Sequence, residues 1–469
     1  MCKAEKSKVN LVSFELSPEW DNIAKSYIDN PKARIKSVND LIQLVCGTDY
    51  HTSIAIDGTW GSGKTFFVKQ AKMLMDINNT FVKVDYIDEN TKKQIIDKTN
   101  NSVRTLIEEK LPVCVYYDAW SNDDTDDPLL SLVYSIVDEY SINFKNYPEL
   151  ENVLKELLDI LKPFLPIKLY TILKLPFLFI GKDNYLEAVK NKLVLKDKIN
   201  SLFNKILLER GNRLIVFIDE LDRCSPIFAI KLLERIKHYF NNDNITFVFS
   251  VNIKQLACTI RKFYGADFNA VKYIERFFDF VITMPEFDMD YFCESLMFDD
   301  PFEDSKSMLT TITKSLDLNL RETARFMRSI NCFKNYYVKT CLNAHYPDDF
   351  KNTIVFAYKL LILPILGLLS KDMTYKDKLL SGDGYQMYSN LTNTIKEYKI
   401  LCEHLSSFVG ARPDEDMSKR VYASYSEEYS KSNNIKPISN FISIKDVLER
   451  AFDFPRELST CFEKINNDE

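Results

Sequence analysis

No two cysteines of this chain stand with two residues between them, although there are ten, and only four histidines accompany them. A zinc module needs such ligands clustered at short spacings, and a disulfide framework belongs to small secreted chains, so both are excluded. The cysteines at positions 2, 46, 114, 224, 258, 293, 332, 341, 402 and 461 are expected to be reduced thiols packed in a cytoplasmic protein. A secretory leader is not expected: the opening "MCKAEKSKVNLVSFELSPEW" has lysines but no apolar core of the needed length. Unbroken apolar runs are scarce. "ILKPFLPIKLYTILKLPFLFIGK" (160–182) is interrupted by Lys162, Lys168 and Lys174 and by Pro163, Pro166 and Pro176, which favours irregular packing or a surface-binding segment over a span. "IVFAYKLLILPILGLLS" (354–370) carries Lys359 and is shorter than the roughly 20 residues a span needs, so a buried helix is expected and a membrane contact is not. An excess of basic charge is also lacking, since the formal net charge is -6 and charged residues make up 27%. That balance does not advertise a nucleic-acid scaffold. Internal repeats and low-complexity tracts are absent.

What is present is an alternation of strands and helices. At 469 residues the chain exceeds one ordinary domain, which predicts one large and one smaller unit. Strands are predicted at 52–58, 81–87, 112–120, 213–220, 245–252 and 278–285, each apolar on both faces, with helical stretches between them. Such a pattern reads as a mostly parallel sheet covered on both sides, an α/β fold. Residues 126–209 are mainly helical and read as an insertion, and after Pro285 helical patterns dominate, with "GDGYQMYSNLTN" (382–393) as a loop or linker. The expected organisation is a nucleotide domain in two parts, 17–125 and 210–335, around the insertion, followed by a helical C-terminal domain, 336–469.

"GTWGSGKT" carries the chemistry. It fits the GxxxxGK[ST] pattern through Gly58, Gly63, Lys64 and Thr65, and it lies between a predicted strand and a predicted helix. A tight loop there turns successive backbone N–H groups toward phosphate oxygens, and side chains at the glycines would crowd the ligand. The expected cradle runs through Gly58, Thr59, Trp60, Gly61, Ser62, Gly63, Lys64, Thr65 and Phe66, with Lys64 on the β and γ oxygens and Thr65 on Mg2+.

"RLIVFIDELDRC" supplies a second half: Asp219 at a strand end as the partner of Thr65 at the metal, and Glu220 to polarise the attacking water. Asp222 and Arg223 follow with no role assigned. The strand "ITFVFSVN" ends in Ser250 and Asn252, either of which could read the γ-phosphate or hold the lytic water, and Asn252 is carried as a catalytic candidate. No Asn-Lys-x-Asp guanine motif occurs in a suitable place, which leaves ATP by elimination. An arginine finger contributes about 10³- to 10⁵-fold in rate where one exists, and Arg276, Arg321 and Arg325 are the candidates, the last two sharing one helix face by their spacing. In "YYDAWSNDDTDDPLL" (116–130), Asp118 either caps local structure or lines the nucleotide cleft.

Taken together these segments resemble the KAP family of P-loop NTPases, in the signal-transducing STAND branch. The resemblance rests on "GTWGSGKT", "YYDAW" followed by acids and Pro-Leu, "FIDELDRC", "YIERFFDFVITMP" and "LNLRETARF", in that order over about residues 17–335. Glu220 stands where the family usually has a second aspartate, Asn252 where it usually has an aspartate, and "LNLR" lacks the usual proline. Many members carry transmembrane helices between the two nucleotide motifs, whereas the insertion here predicts a soluble variant. The resemblance implies an ATP-driven, Mg2+-dependent switch, in bacterial members tied to exclusion of phage or plasmids, acting on an unknown protein partner and open to homo-oligomerisation. Two rivals stand beside it: an interaction module that holds nucleotide without turnover, and a nucleic-acid-stimulated ATPase using the lysines of "KNKLVLKDKINSLFNKILLERGNR".

Overall fold

Five strands build the sheet of the computed structural model, which describes residues 17–29, 33–125, 127–139, 185–240, 242–296, 305–337, 355–408 and 416–438. They are β1 (Thr52–Asp57), β2 (Pro112–Asp118), β3 (Arg213–Asp219), β4 (Ile245–Val251) and β5 (Phe280–Thr283). All pair in parallel, in the order β2-β3-β4-β1-β5. Two helical layers cover it, as a two-sided apolar strand pattern requires. Helices α1 (Trp20–Asp29), α2 (Ala33–Gly47), α3 (Lys64–Asn78), α4 (Glu89–Lys98) and α5 (Asn101–Lys110) pack on the face bearing Ile54, Ile56, Cys114, Ile215, Phe217 and Val248. The opposite face, with Val113, Val115, Val216, Ile218, Phe247 and Phe249, is covered by α6 (Pro128–Glu139), α7 (Tyr185–Arg210), α8 (Pro226–Tyr239), α9 (Ile253–Tyr264) and α10 (Ala270–Ile274).

The chain divides into two compact units, one spanning Glu15–Glu286 and a second beginning at Phe287. The second is helical in its described residues. Its longest helix among the described residues, Leu320–Tyr337, and the apolar helix Leu363–Lys371 both belong to it. The expected buried helix there has a physical complication at Pro364. Its ring removes the N–H that the carbonyl four residues back would accept. The turn Tyr358–Ile362 widens to a π-helix, and the Leu360 carbonyl accepts a 2.6 Å hydrogen bond from the Tyr388 hydroxyl instead. Among the described residues no helix is long and apolar enough to cross a membrane. The segment 160–182 lies outside the described residues, as do the rest of 140–184 in the predicted helical insertion and the C-terminal residues 439–469.

Three expectations need correction. Residues 81–87 form no strand: Val84 and Ile87 turn into the α3 layer, and Asn79 ties the segment down by accepting from the Phe81 N–H at 2.9 Å and donating to the Pro112 carbonyl at 2.8 Å. β5 is a sheet edge rather than a two-sided core strand, with Phe280 40% and Val281 54% exposed. Residues 385–392 are a helix, because Gly382 at φ 92° closes the preceding helix Tyr375–Ser381 and so marks a boundary rather than a linker.

One buried charge network ties α3 to the end of α6. Lys72 is 1% exposed and reaches Asp76 at 2.5 Å and Glu139 at 2.8 Å, while the Tyr86 hydroxyl donates to Asp76 at 2.8 Å. Removing one partner of such a set leaves an uncompensated buried charge, which costs about 3–5 kcal/mol. Lys72→Met is therefore expected to lower the free energy of unfolding by that amount, read from the shift in denaturant midpoint, whereas the exposed-pair variant Lys83→Met, which breaks the Lys83–Asp85 contact, should leave it within error.

Candidate functional site

β1 runs straight into the glycine-rich loop. Its last residues stay in register with β4, Gly58 N–H donating to the Val251 carbonyl at 3.1 Å, and then the chain leaves the sheet. Gly61 and Gly63 adopt φ values of 81° and 83°, a left-handed region that residues with a Cβ rarely enter. At Gly58 the demand is for space: a Cβ would stand 2.8 Å from both the Met284 Cβ and the Ser62 Oγ. Gly63 then caps α3 without offering a side-chain acceptor, so the first-turn N–H groups of Lys64, Thr65 and Phe66 point out of the helix as an anion cradle. The buried Ser62 Oγ has no partner within the protein, as a group meant for a ligand would have. Arg34, near the start of α2, backs the loop by donating from Nη2 to the Ser62 carbonyl at 2.7 Å.

Lys64 folds over this loop. Its Nζ donates to the carbonyls of Gly58 at 2.7 Å and Thr59 at 3.2 Å. Burial pushes its pKa below the ordinary lysine value, and the charges of Asp222, Asp219 and Glu220 act in the opposite sense. Thr65 follows on α3, half-buried.

Asp219 ends β3 almost fully buried, with Oδ1 accepting from the Glu220 N–H and Oδ2 from the Tyr116 hydroxyl, each at 2.9 Å. Glu220 turns left-handed at φ 60°, a conformation that costs a non-glycine residue about 1–3 kcal/mol and tends to persist where function needs it. Its carboxyl is pushed up to about 7, first by burial and then by the neighbouring Asp219 charge, while the ion pair with Arg223 Nε opposes the shift. A single turn, Leu221–Arg223, then joins the site to its surroundings. Asp222 accepts from the Trp60 indole at 2.5 Å, bringing the loop tip onto the end of β3. The Arg223 guanidinium lies 5.5 Å from the centre of the Trp120 ring.

The acids after β2 serve structure. Asp118 accepts from the Ser121 N–H and hydroxyl, Asp123 holds Ser225 at the start of α8, and Asp127 caps α6 and pairs with Arg235 at 3.0 Å. Asp118 is thus engaged in its own turn, the capping alternative of the two expected from sequence.

Other candidates fare differently. Asn252 accepts from the Gln255 N–H at 3.1 Å and so caps α9. Ser250, the register partner of Asp219 on β4, is fully buried and its hydroxyl has no partner within the protein. Arg276 is exposed and precedes β5, whose far end Thr283 pairs with Asp57 beside the loop. It therefore lies near the ends at which β1 and β5 begin, away from the phosphate loop, with the Asp279 N–H donating to the Ser53 carbonyl at 2.8 Å. Arg321 and Arg325 are exposed on the helix Leu320–Tyr337, in the second compact unit. The partnerless Ser250 hydroxyl is the signal that sequence reasoning weighed too lightly. A serine at a strand end is common, and only the packing reveals that nothing in the protein satisfies it.

A parallel sheet with a left-handed glycine loop at one strand end, a lysine curled into it and an acidic strand end one strand removed defines a P-loop nucleotide-binding domain. A family profile described as "KAP family P-loop domain" matches residues 34–337, and the chain belongs to the KAP family of P-loop NTPases. A search among curated proteins returned no match.

Trp60 and Trp120 flank the site and are two of only three tryptophans in the chain. Tryptophan emission is accordingly expected to change on titration with a nucleoside triphosphate, and Trp60→Phe should remove most of that change while Trp20→Phe preserves it.

Proposed function

We propose that this protein binds ATP with Mg2+ and hydrolyses it slowly, using the cycle to switch the inserted and C-terminal helices between two packings. The cradle supports this: first-turn N–H groups at α3, a Gly58 where a Cβ has no room, left-handed Gly61 and Gly63, and the unsatisfied Ser62 hydroxyl all suit a phosphate chain. Thr65 and Asp219, a hydroxyl and a carboxylate, are the donors a magnesium ion would take. When bound, that ion would neutralise charge on the phosphates. The adenine preference rests on the missing guanine motif.

The observation that carries turnover rather than binding alone is Glu220, a half-buried carboxylate set immediately after Asp219 in a left-handed turn. A group so held can orient a water and accept its proton. Lys64 would hold phosphate oxygens after leaving the Gly58 and Thr59 carbonyls, and Ser250 suits the γ-phosphate side better than Asn252, whose amide oxygen caps α9. An arginine from a second copy, Arg276 in particular, would complete the charge, which makes a homo-oligomer part of the proposal. A cytoplasmic setting fits the buried, reduced thiols of Cys46 and Cys224. A role in exclusion of phage or plasmids, through a protein partner, rests on the family resemblance alone.

Lys64→Ala is expected to abolish ATP binding, measured by calorimetry. Glu220→Gln should bind ATP as the parent does while phosphate release falls about 10²- to 10⁴-fold. Parental turnover in the Glu220 variant would remove the water-activating role. Tight ATP binding by the parent with no phosphate release at any protein concentration would favour an interaction module.

A further inference from the structure

We propose that Tyr116 is a positioning residue that holds the Asp219 carboxylate in place for the metal and braces it against the helix that carries Thr65. The inference rests on the Mg-nucleotide reading above. The two expected metal donors come from elements that are not neighbours: Thr65 follows β1, Asp219 ends β3, and β4 lies between them. Their spacing is critical for a small ion that demands near-ideal octahedral geometry. Through the sheet alone it would be set at one remove.

Tyr116 supplies a direct brace. It projects from β2, the neighbour of β3, and its hydroxyl donates to Asp219 Oδ2 at 2.9 Å, while the Glu220 N–H occupies Oδ1 at the same distance. The carboxylate is thereby fixed at both oxygens, and each retains a lone pair for a further partner. The Tyr116 ring is held in turn from α3. Lys69, one helical turn after Thr65 and on the same side of the helix, has its Nζ 4.6 Å from the ring centre. That ammonium is anchored by the Pro18 carbonyl at 2.9 Å and lies 5.4 Å from the Trp20 ring. A continuous set of contacts therefore runs from the Thr65 helix through Lys69 and the Tyr116 ring to Asp219. Outer contacts of this kind orient a ligand that they do not replace, and their loss commonly costs about 10- to 100-fold in metal affinity.

The test titrates Mg2+ into the full-length protein with a fluorescent ATP analogue and repeats the binding measurement in EDTA. Tyr116→Phe keeps the ring and its contact with Lys69 but deletes the donor. It is expected to raise the Mg2+ concentration at half-maximal effect about 10-fold while leaving affinity in EDTA unchanged, which also reports an intact fold. Lys69→Met, which removes the cation over the ring, should give a smaller shift of about 2- to 5-fold in the same direction. Asp219→Asn serves as the reference for loss of the carboxylate. A Tyr116→Phe curve that superimposes on the parent while Asp219→Asn is displaced overturns the positioning role and leaves the metal site standing. An Asp219→Asn curve that also superimposes on the parent removes the metal site and this inference with it.

Discussion

Parallel pairing of β1 through β4 is the constraint from which the site follows. Because every strand runs the same way, all of them end on one edge, and Gly58, Asp118, Asp219 and Ser250 arrive there together from stretches up to 192 residues apart (250 − 58). Hydrogen bonds between β1 and β4 and between β4 and β3 set the lateral offset of the phosphate loop from the acidic strand end. The helix that must follow the loop then packs on the face that carries Asp219 and Ser250, since residues two apart on a strand share a side.

A short turn links the two halves of this edge. Leu221–Arg223 carries three adjacent functions: Leu221 is buried in the core, Asp222 receives the Trp60 indole, and Arg223 pairs with Glu220. The loop tip and the carboxylate expected to activate water are therefore attached to the same three residues. Lys72 extends the connection in another direction, from the middle of α3 to the final residue of α6, within the 126–209 insertion.

Much of this was legible in the residues themselves. β1, β2, β3 and β4 were recognisable because strands buried on both faces are continuous apolar runs, and the loop because only glycine tolerates φ near 80° or leaves room for Met284. Residues 81–87 misled for the same reason: an apolar segment that packs under helices has the composition of a strand, and nothing local tells whether a sheet edge is available. Residues 382–393 misled because glycines end helices as well as fill loops, and the tyrosines that follow form their own packed cluster, Tyr385 lying 4.9 Å from Tyr429 ring to ring.

By itself the sequence determined the chemistry on offer: a phosphate loop, a strand ending in two carboxylates, and a chain with the composition to bury a two-layered α/β core. Those properties are local, since they depend on spacings of a few residues and on backbone angles that particular residues permit. Only the tertiary structure decided which of several polar side chains at strand ends faces the loop. It assigned Asn252 to a helix cap, left the Ser250 hydroxyl unsatisfied, placed Arg276 near the start of β5 and away from the phosphate loop, and set Tyr116 against Asp219. Such choices depend on strand order and on the direction each chain segment takes, and these arise from packing between residues that are distant in sequence.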